Sequence, residues 1–528
     1  MPTITKKSSN SSDLPIECWQ EVLKHVPVED VKTLWSCLMV NRSMCKIVAP
    51  ILWSNPFHHL QKASRRNQPS RGKIDKEIKL KVDQKNLIDV YLSCMEKTSI
   101  KILQDHEIRI KRKSNLVLTT FDYPSFLREL RYDIICESSS SWLWLEQLLQ
   151  LEGITELGIL ERISEYRKLL LTRELCKMFI KKSPLITNLT LSYYVPFSDR
   201  SFMPPEDYFL INKFPGANVS LKNLKRFKCS LLIDQWKEIS KDLTRICGKN
   251  GGLESLELKC IGEPSVEWVD DKSFVYVCEL IRQQKSLQHI KLNCCGKYCN
   301  MAKVVSTLST HTDHIKSLEF IHLKFNSHSH GISTTFTDCS DSPLHFISEC
   351  KRLNTLIFKD CGELDYKVFS MKSAPWFDHL TKLVFEDTSI SPFDISRIIS
   401  SCHKLHELSC DLGDDFGYLP EFALNFPLSL KHLTIDAIEI DEEILQSFLE
   451  NIKASLERLK FPAWICRSFT DQHLYIICDK LEDSLRRLDL DLMAPENQQH
   501  CVSIEAIQYA RRKITSVNIE CYFRYDTW

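Results

Sequence analysis

The chain has 528 residues, more than one hydrophobic core ordinarily organises, so it forms either several domains or an elongated array. Its 69 basic and 69 acidic residues cancel, which removes any net-charge argument for a nucleic-acid or membrane partner. Apolar content of 43% is that of a folded protein, and no run of about 18 uncharged apolar residues predicts a membrane span.

The first ten residues, Met1-Pro-Thr-Ile-Thr-Lys-Lys-Ser-Ser-Asn10, have no apolar stretch and do not read as a secretion signal. Without one, the 22 cysteines read as reduced, mostly buried thiols in the cytoplasm and/or nucleus. Residues 1–12 are polar and serine-rich, a composition expected to be disordered. Three short helices are predicted over residues 13–57. Asp13, Pro15 and Glu17 form a helix start, and Ile16, Trp19, Val22, Leu23 and Val26 recur at helical spacing. Pro27 to Asp30 breaks that helix, and Val31, Leu34, Cys37 and Leu38 pattern a second. A third runs from Asn41-Arg42 to Ala49-Pro50, followed by Leu52-Trp53. So small a unit has little core of its own and gains from a partner that covers its apolar surface.

This segment resembles the F-box, through Leu14-Pro15-x-Glu17, Val22-Leu23, Leu34, Val40-Asn41-Arg42 and the closing Leu52-Trp53. The family often has a second tryptophan after the arginine, where this chain has Cys45. The resemblance implies docking onto a Skp-type adaptor and, through it, a cullin in a ubiquitin ligase. Carried over by position, Leu14, Pro15, Ile16, Glu17, Val22 and Leu23 are the expected adaptor contacts, with Leu34 and Val40 as contact or core.

Residues 58–115 are expected to be a charged linker followed by a helical cap. Lys62 to Lys85 is rich in charge but interrupted by Pro69, Gly72, Asp75, Glu77 and Asp83, which reads as a solvated linker. Leu87 to Met95 reads as a helix, with Ile100 to Leu103 behind it, placed to seal the first repeat.

From residue 116 to 528 one phrase keeps returning. It is an apolar residue, two variable ones, an apolar, a variable and an apolar, as in Leu430-Lys-His-Leu433-Thr-Ile435. Fourteen copies start at residues 127, 154, 186, 224, 253, 287, 315, 353, 380, 405, 430, 456, 485 and 514, at steps of 25 to 38. Periods in this range belong to stacked repeats. The alternating end of the phrase is a short strand with one apolar face. Parallel neighbours need a crossover, and Phe274–Ile281, Leu344–Cys350, Pro392–Ile399, Asp441–Ile452, Leu474–Leu481 and Ile504–Ala510 supply helical segments in the gaps. The unit resembles the leucine-rich repeat in its longer form, over roughly residues 127–520; Cys295 and Cys361 occupy the family's ninth position. The expected fold class is therefore α/β: a three-helix F-box, then a repeat solenoid with its parallel sheet on the concave face and helices on the convex face. The aromatic end, Tyr522-Phe523-Arg-Tyr525-Asp-Thr-Trp528, is expected to cap the last strand.

Chemistry-bearing motifs are sparse. There is no phosphate-binding Gly-rich loop, nucleophile elbow or His-Glu-x-x-His helix. Cys294-Cys295-x-x-x-Cys299 and His311-x-x-His314 lack zinc-site regularity. Neither a metal nor any other cofactor is expected, and His328-Ser-His330 reads as a surface insertion within 326–341. The resemblance implies a non-catalytic substrate receptor of a Skp-cullin-F-box ligase; the alternative is an interaction scaffold with no ubiquitination role. The expected target is an unidentified protein. On the concave face Arg226, Lys228, Lys259 and Lys291 lie early, and Glu407, Asp411, Asp436, Asp489 and Asp491 lie late. The late acids are the predicted substrate-binding residues, suited to orienting a basic partner.

Overall fold

The computed structural model describes residues 15–27, 30–58, 60, 73–110, 120–148, 157–192, 210–231, 233–247, 252–260, 274–294, 301–323, 325, 342–362, 364, 369, 374–388, 390–412, 416–436, 440–465, 469–494 and 502–523. The chain divides into two compact units, 1–231 with 242–252, and 232–241 with 253–528.

The first unit opens with helices α1 (Ile16–Lys24), α2 (Val31–Leu38) and α3 (Arg42–Leu52). Side chains set the starts of α2 and α3. Asp30 accepts from the Thr33 amide at 3.2 Å and Asn41 from the Met44 amide at 2.8 Å, each satisfying an orphan donor of a first turn. The three helices share a small core of Leu23, Leu34, Met44, Ile47 and Val48, with Val26, Cys37, Leu38, Ile51 and Leu52 at its margin.

Two helices follow, α4 (Lys73–Ser93) and α5 (Lys97–Asp105). The charge-rich run expected to be a solvated linker is thus helical from Lys73 onward. Acids in and just beyond the run sit at helical spacing to its bases, as in the Lys81–Glu77 and Lys85–Asp89 pairs. Then come strand β1 (Glu129–Arg131), helices α6 (Tyr132–Leu148) and α7 (Leu157–Lys182), β2 (Asn188–Ser192) and β3 (Arg226–Leu231). β1 pairs with β2 and β2 with β3, both parallel. The phrase starting at 154 is the exception in the series. Residues 154–156 lie outside the described ones, and Leu157 and Ile159 open a 26-residue helix instead of a strand. A short apolar run fits either period. The decision belongs to Leu171, Leu175, Cys176, Phe179 and Ile180, which are buried at helical spacing further along the same element.

The second unit carries β4 (Ser255–Cys260), β5 (His289–Cys294), β6 (Ser317–Ile321), β7 (Thr355–Cys361), β8 (Lys382–Thr388), β9 (Glu407–Asp411), β10 (His432–Asp436), β11 (Arg458–Ile465), β12 (Arg487–Ala494) and β13 (Ser516–Phe523). Each pairs in parallel with the next in sequence order. Every strand begins two residues into a phrase, so the phrase's middle apolar residue heads an in-register column. Leu256, Ile290, Leu318, Leu356, Leu383, Leu408, Leu433, Leu459 and Leu488 are each no more than 2% exposed. The last phrase position forms a second column that includes Phe320, Phe358 and Phe385, with ring centroids 5.3 and 5.7 Å apart. One strand buries little on its own; stacking buries each leucine between two neighbours, about 2 kcal/mol apiece.

The crossovers are helices 275–282, 392–399, 442–451, 471–480 and 504–513, close to the predicted segments. The Leu344–Cys350 segment forms a tighter 3-10 turn at His345–Glu349. The cap expected at the C-terminal end falls partly on described residues: Tyr522 and Phe523 extend β13, and 524–528 lie outside them. The sequence-predicted disordered tail, 1–12, and the insertion holding His328 and His330 also lie outside the described residues.

Candidate protein-interaction sites

Helix α1 places its apolar residues on two faces. Leu23 turns inward and is 2% exposed, with Val26 beside it. Ile16, Trp19 and Val22 stay 42%, 37% and 52% exposed. Helix α2 repeats the pattern: Leu34 is fully buried, while Trp35, Met39 and Val40 are 58%, 67% and 66% exposed. Six large apolar side chains, three on the first helix and three on or just after the second, are thus left exposed on a small unit.

Of the eight residues expected at an adaptor interface, Pro15, Ile16, Glu17, Val22 and Val40 are exposed, and Leu14 lies outside the described residues. Leu23 revises that expectation, and Leu34 takes the core alternative given for it: both are in the three-helix core, beneath the exposed residues. Trp35 and Met39 were not anticipated. Their signal in the sequence is that they fall off the Val31-Leu34-Cys37-Leu38 stripe yet are large and apolar.

The second candidate surface is the polar face of β7 to β12. Odd positions of each strand point away from the leucine columns, and bases there pair with acids one strand further on. Lys359 reaches Glu386 at 2.5 Å, Lys382 reaches Glu407 at 2.7 Å, and Lys460 reaches Asp491 at 2.8 Å. Lys291 does the same with Glu319 at 2.7 Å. Asp489 is held most tightly. Arg458 and Arg487 contact it at 2.8 Å and the Asn518 amide donates to it at 2.6 Å. Burial alone would raise its pKa; the hydrogen bonds from Arg487, Asn518 and Arg458 outweigh that and hold it below the ordinary carboxylate value.

The five predicted substrate-binding acids therefore divide. Glu407, Asp489 and Asp491 are committed to neighbouring bases. Asp411 and Asp436 face each other in register on β9 and β10, two strands from β12 at the nearest. Burial and the charges of Asp411, Asp387 and Glu386 push the Asp436 carboxyl up to about 6. Asp387 is raised for the same reasons, burial first and then Asp411, Asp360 and Glu386. Three residues that sequence reading missed lie on or just after the strands before this pair, and Asp387 is the one whose charge reaches Asp411 and Asp436. His322, Asp360 and Asp387 occupy one register position on or just after β6, β7 and β8, and all three take left-handed backbone, with φ of 54°, 47° and 50°. His322 Nδ1 lies 2.5 Å from Asp360 Oδ2. His and Asp are among the few side chains that tolerate that backbone, which is the faint sign they leave in the sequence.

The thiols and histidines of the suspected zinc motif have other roles where described. Cys294 is a buried interior residue of β5, and His311 Nε2 lies 2.8 Å from the Ile281 carbonyl oxygen. Burial lowers the His311 pKa against the opposing effect of its bond to the Ile281 carbonyl. Among the described residues no group of three His, Cys, Asp or Glu side chains is placed to hold a metal, and no helix is long and apolar enough to cross a membrane.

Residues 11–50 match the family described as the F-box domain. This chain carries an F-box. The F-box precedes an α/β, solenoid-like fold of leucine-rich repeats, as the recurring phrase and the sequential parallel strands show. No curated protein matches the sequence. Among solved structures, the Rad7 and Elc1 complex from yeast is similar at 16% identity, over 71% of this chain and 96% of that one, with a TM-score of 0.39. The leucine-rich repeat-containing protein LegL7 from Legionella pneumophila is similar at 12% identity, over 63% and 90%, with a TM-score of 0.31. Likenesses this slight say nothing of activity.

Proposed function

We propose that this F-box protein is the substrate-recognition subunit of a Skp-cullin-F-box ubiquitin ligase. The F-box holds a Skp-type adaptor, the adaptor links it to a cullin, and the repeats hold a protein target. The chain itself is non-catalytic: it brings a target close to subunits that do the chemistry, which is a gain in effective concentration. The observation that carries this reading is the exposure of Ile16, Trp19, Val22, Trp35, Met39 and Val40 in a segment that matches the F-box. The target surface is assigned to the strand face around Asp411 and Asp436, where carboxylates crowd each other and a basic partner would relieve their repulsion. A reducing compartment, cytoplasm or nucleus, accords with the sixteen cysteines whose side chains are described, all of them free thiols.

The test is co-purification of the full chain with Ile16→Asp and Val22→Asp together. Both side chains are exposed, so the fold should persist, as read by circular dichroism. Each anchor residue of an interface is worth about 2 kcal/mol, so adaptor and cullin should both be lost. Undiminished adaptor recovery would overturn the docking face. Recovery of adaptor without cullin by the unaltered chain would overturn the ligase role and leave a scaffold.

A further inference from the structure

Most strands in the array are set by the same backbone device. A carbonyl just before one strand accepts two amides just before and at the start of the next. The Arg128 carbonyl accepts from Thr187 and Asn188 at 2.8 and 3.1 Å, and the Thr187 carbonyl from Lys225 and Arg226 at 2.8 and 3.0 Å. In the second unit Glu254, Gln288, Asn354, Thr381, His406, Lys431 and Glu457 repeat the arrangement. The first strand, β1, has no repeat before it. Its two amides, Arg128 and Glu129, donate instead to the Ser54 carbonyl, at 2.8 and 3.3 Å. Ser54 is the second residue after α3 of the F-box.

We propose that the closing turn of the F-box, Trp53 to Phe57, is the N-terminal capping unit of the repeat array, so that the F-box and the first strands stay folded only together. Side chains complete what the backbone begins. Asn55 Nδ2 donates to Glu129 Oε2 at 2.7 Å. The Trp53 ring lies 4.2 Å from Tyr123 and 5.7 Å from Tyr91, centroid to centroid. Phe57 lies 5.9 Å from Tyr91, which in turn meets Phe179 of α7 edge-on at 4.6 Å. Phe57, Tyr91 and Phe179 are at most 1% exposed, so one aromatic cluster joins the F-box, α4 and α7.

Both sides need this joint. The end of a repeat array exposes its interior and requires a cap, usually an atypical repeat with a polar outer face. The F-box supplies that cap here, with α4 contributing Tyr91 beside it. Conversely, the F-box core of five buried side chains is too small to be stable unsupported. The proposal does not depend on which protein docks on α1 and α2. It implies that cutting away residues 13–57 damages the target-binding domain as well as adaptor docking, so a deletion cannot separate the two functions.

Hydrogen exchange of the full chain, read by mass spectrometry, tests it. Two peptide sets are followed, one covering 127–131 and 186–192, the other 430–461. Trp53→Ala with Phe57→Ala should speed exchange in the first set about tenfold or more by local opening, and leave the second set unchanged. Ile16→Asp with Val22→Asp, on the open face of the same F-box, should leave both sets unchanged. Unchanged exchange at 127–131 in the aromatic variant would overturn the proposal. So would acceleration of both sets by the same factor, which would mark a general loss of stability. If the double aromatic variant does not accumulate folded, Asn55→Ala in its place must speed exchange at 127–131, and failure to do so overturns the proposal equally.

Discussion

Side-chain charge on the strand face serves two opposed ends, and Asp436 and Asp489 show them. Asp436 sits half-buried among Asp411, Asp387 and Glu386, with its carboxyl pushed up to about 6. A carboxyl raised by folding contributes its full stability below the unfolded value of 3.8 and loses it as pH rises through about 6. Asp436→Asn should therefore stabilise the chain at pH 7.5, by on the order of 1 kcal/mol once solvent screening is allowed for, and give no gain at pH 4. Denaturant melts at the two pH values measure this; an equal gain at both would mean that crowding of charge is not the cause. Asp489 is the reverse case. Its folded value is depressed, so its contribution is present above the unfolded value and is lost as pH falls. Asp489→Ala leaves Arg458 and Arg487 opposite each other and removes the acceptor of Asn518, at a cost of about 1.5 kcal/mol, since both guanidinium groups are open to solvent. A melt showing less than a third of that loss would place Asp489 among ordinary surface acids. The sequence made all five acids look alike, because a one-dimensional pattern shows which face a residue is on and not which base lies on the next strand.

At the scale of elements, phase was legible and segment type less so. Thirteen of the fourteen phrases head a strand among the described residues, because strict alternation beside an invariably buried leucine leaves one solution. Two readings failed where local pattern underdetermines structure. Leu157 and Ile159 fit a strand phrase but open a helix, and Lys73 to Lys85 looked like a linker but is helical. The first outcome rests on buried residues later in the same helix, the second on contacts far along the chain. Gln84 and Lys85 are held by Ser141, Glu137 and Glu146 of α6, partners no window around them contains. The strand phase itself is open to test. Leu433 is fully buried in the interior column and Thr434 faces the polar side. Leu433→Asp puts an unpaired charge in the interior, a loss above about 4 kcal/mol, and should expose 405–461 to protease. Thr434→Asp, next to Lys460 in register, should be tolerated. Equal sensitivity at the two positions would show the strand phase to be wrong.

At the scale of the molecule, the two interaction surfaces differ in how far the sequence revealed them. The F-box was readable because its motif order is specific, and its exposed apolar residues surfaced once the three-helix core was known. The proposed target surface is supported by Asp411 and Asp436 in register, Asp387 and Glu386 on the strand before, and Lys382 already occupied by Glu407. Like charges held side by side on neighbouring strands weaken a sheet, so a basic partner has repulsion to relieve there. Glu407 has none to give, since its charge is balanced. Asp411→Lys with Asp436→Lys should thus weaken capture of targets while the adaptor is still recovered, and should invert the salt dependence of what capture remains. Glu407→Lys alone should change capture little and cost stability through the loss of its bond to Lys382. Affinity purification across a salt series, quantified for adaptor and for targets separately, distinguishes these outcomes. Full target yield from the double variant at every salt concentration would remove the Asp411–Asp436 patch as the target site, with adaptor recovery in the same samples showing that the F-box reading stands apart from that failure.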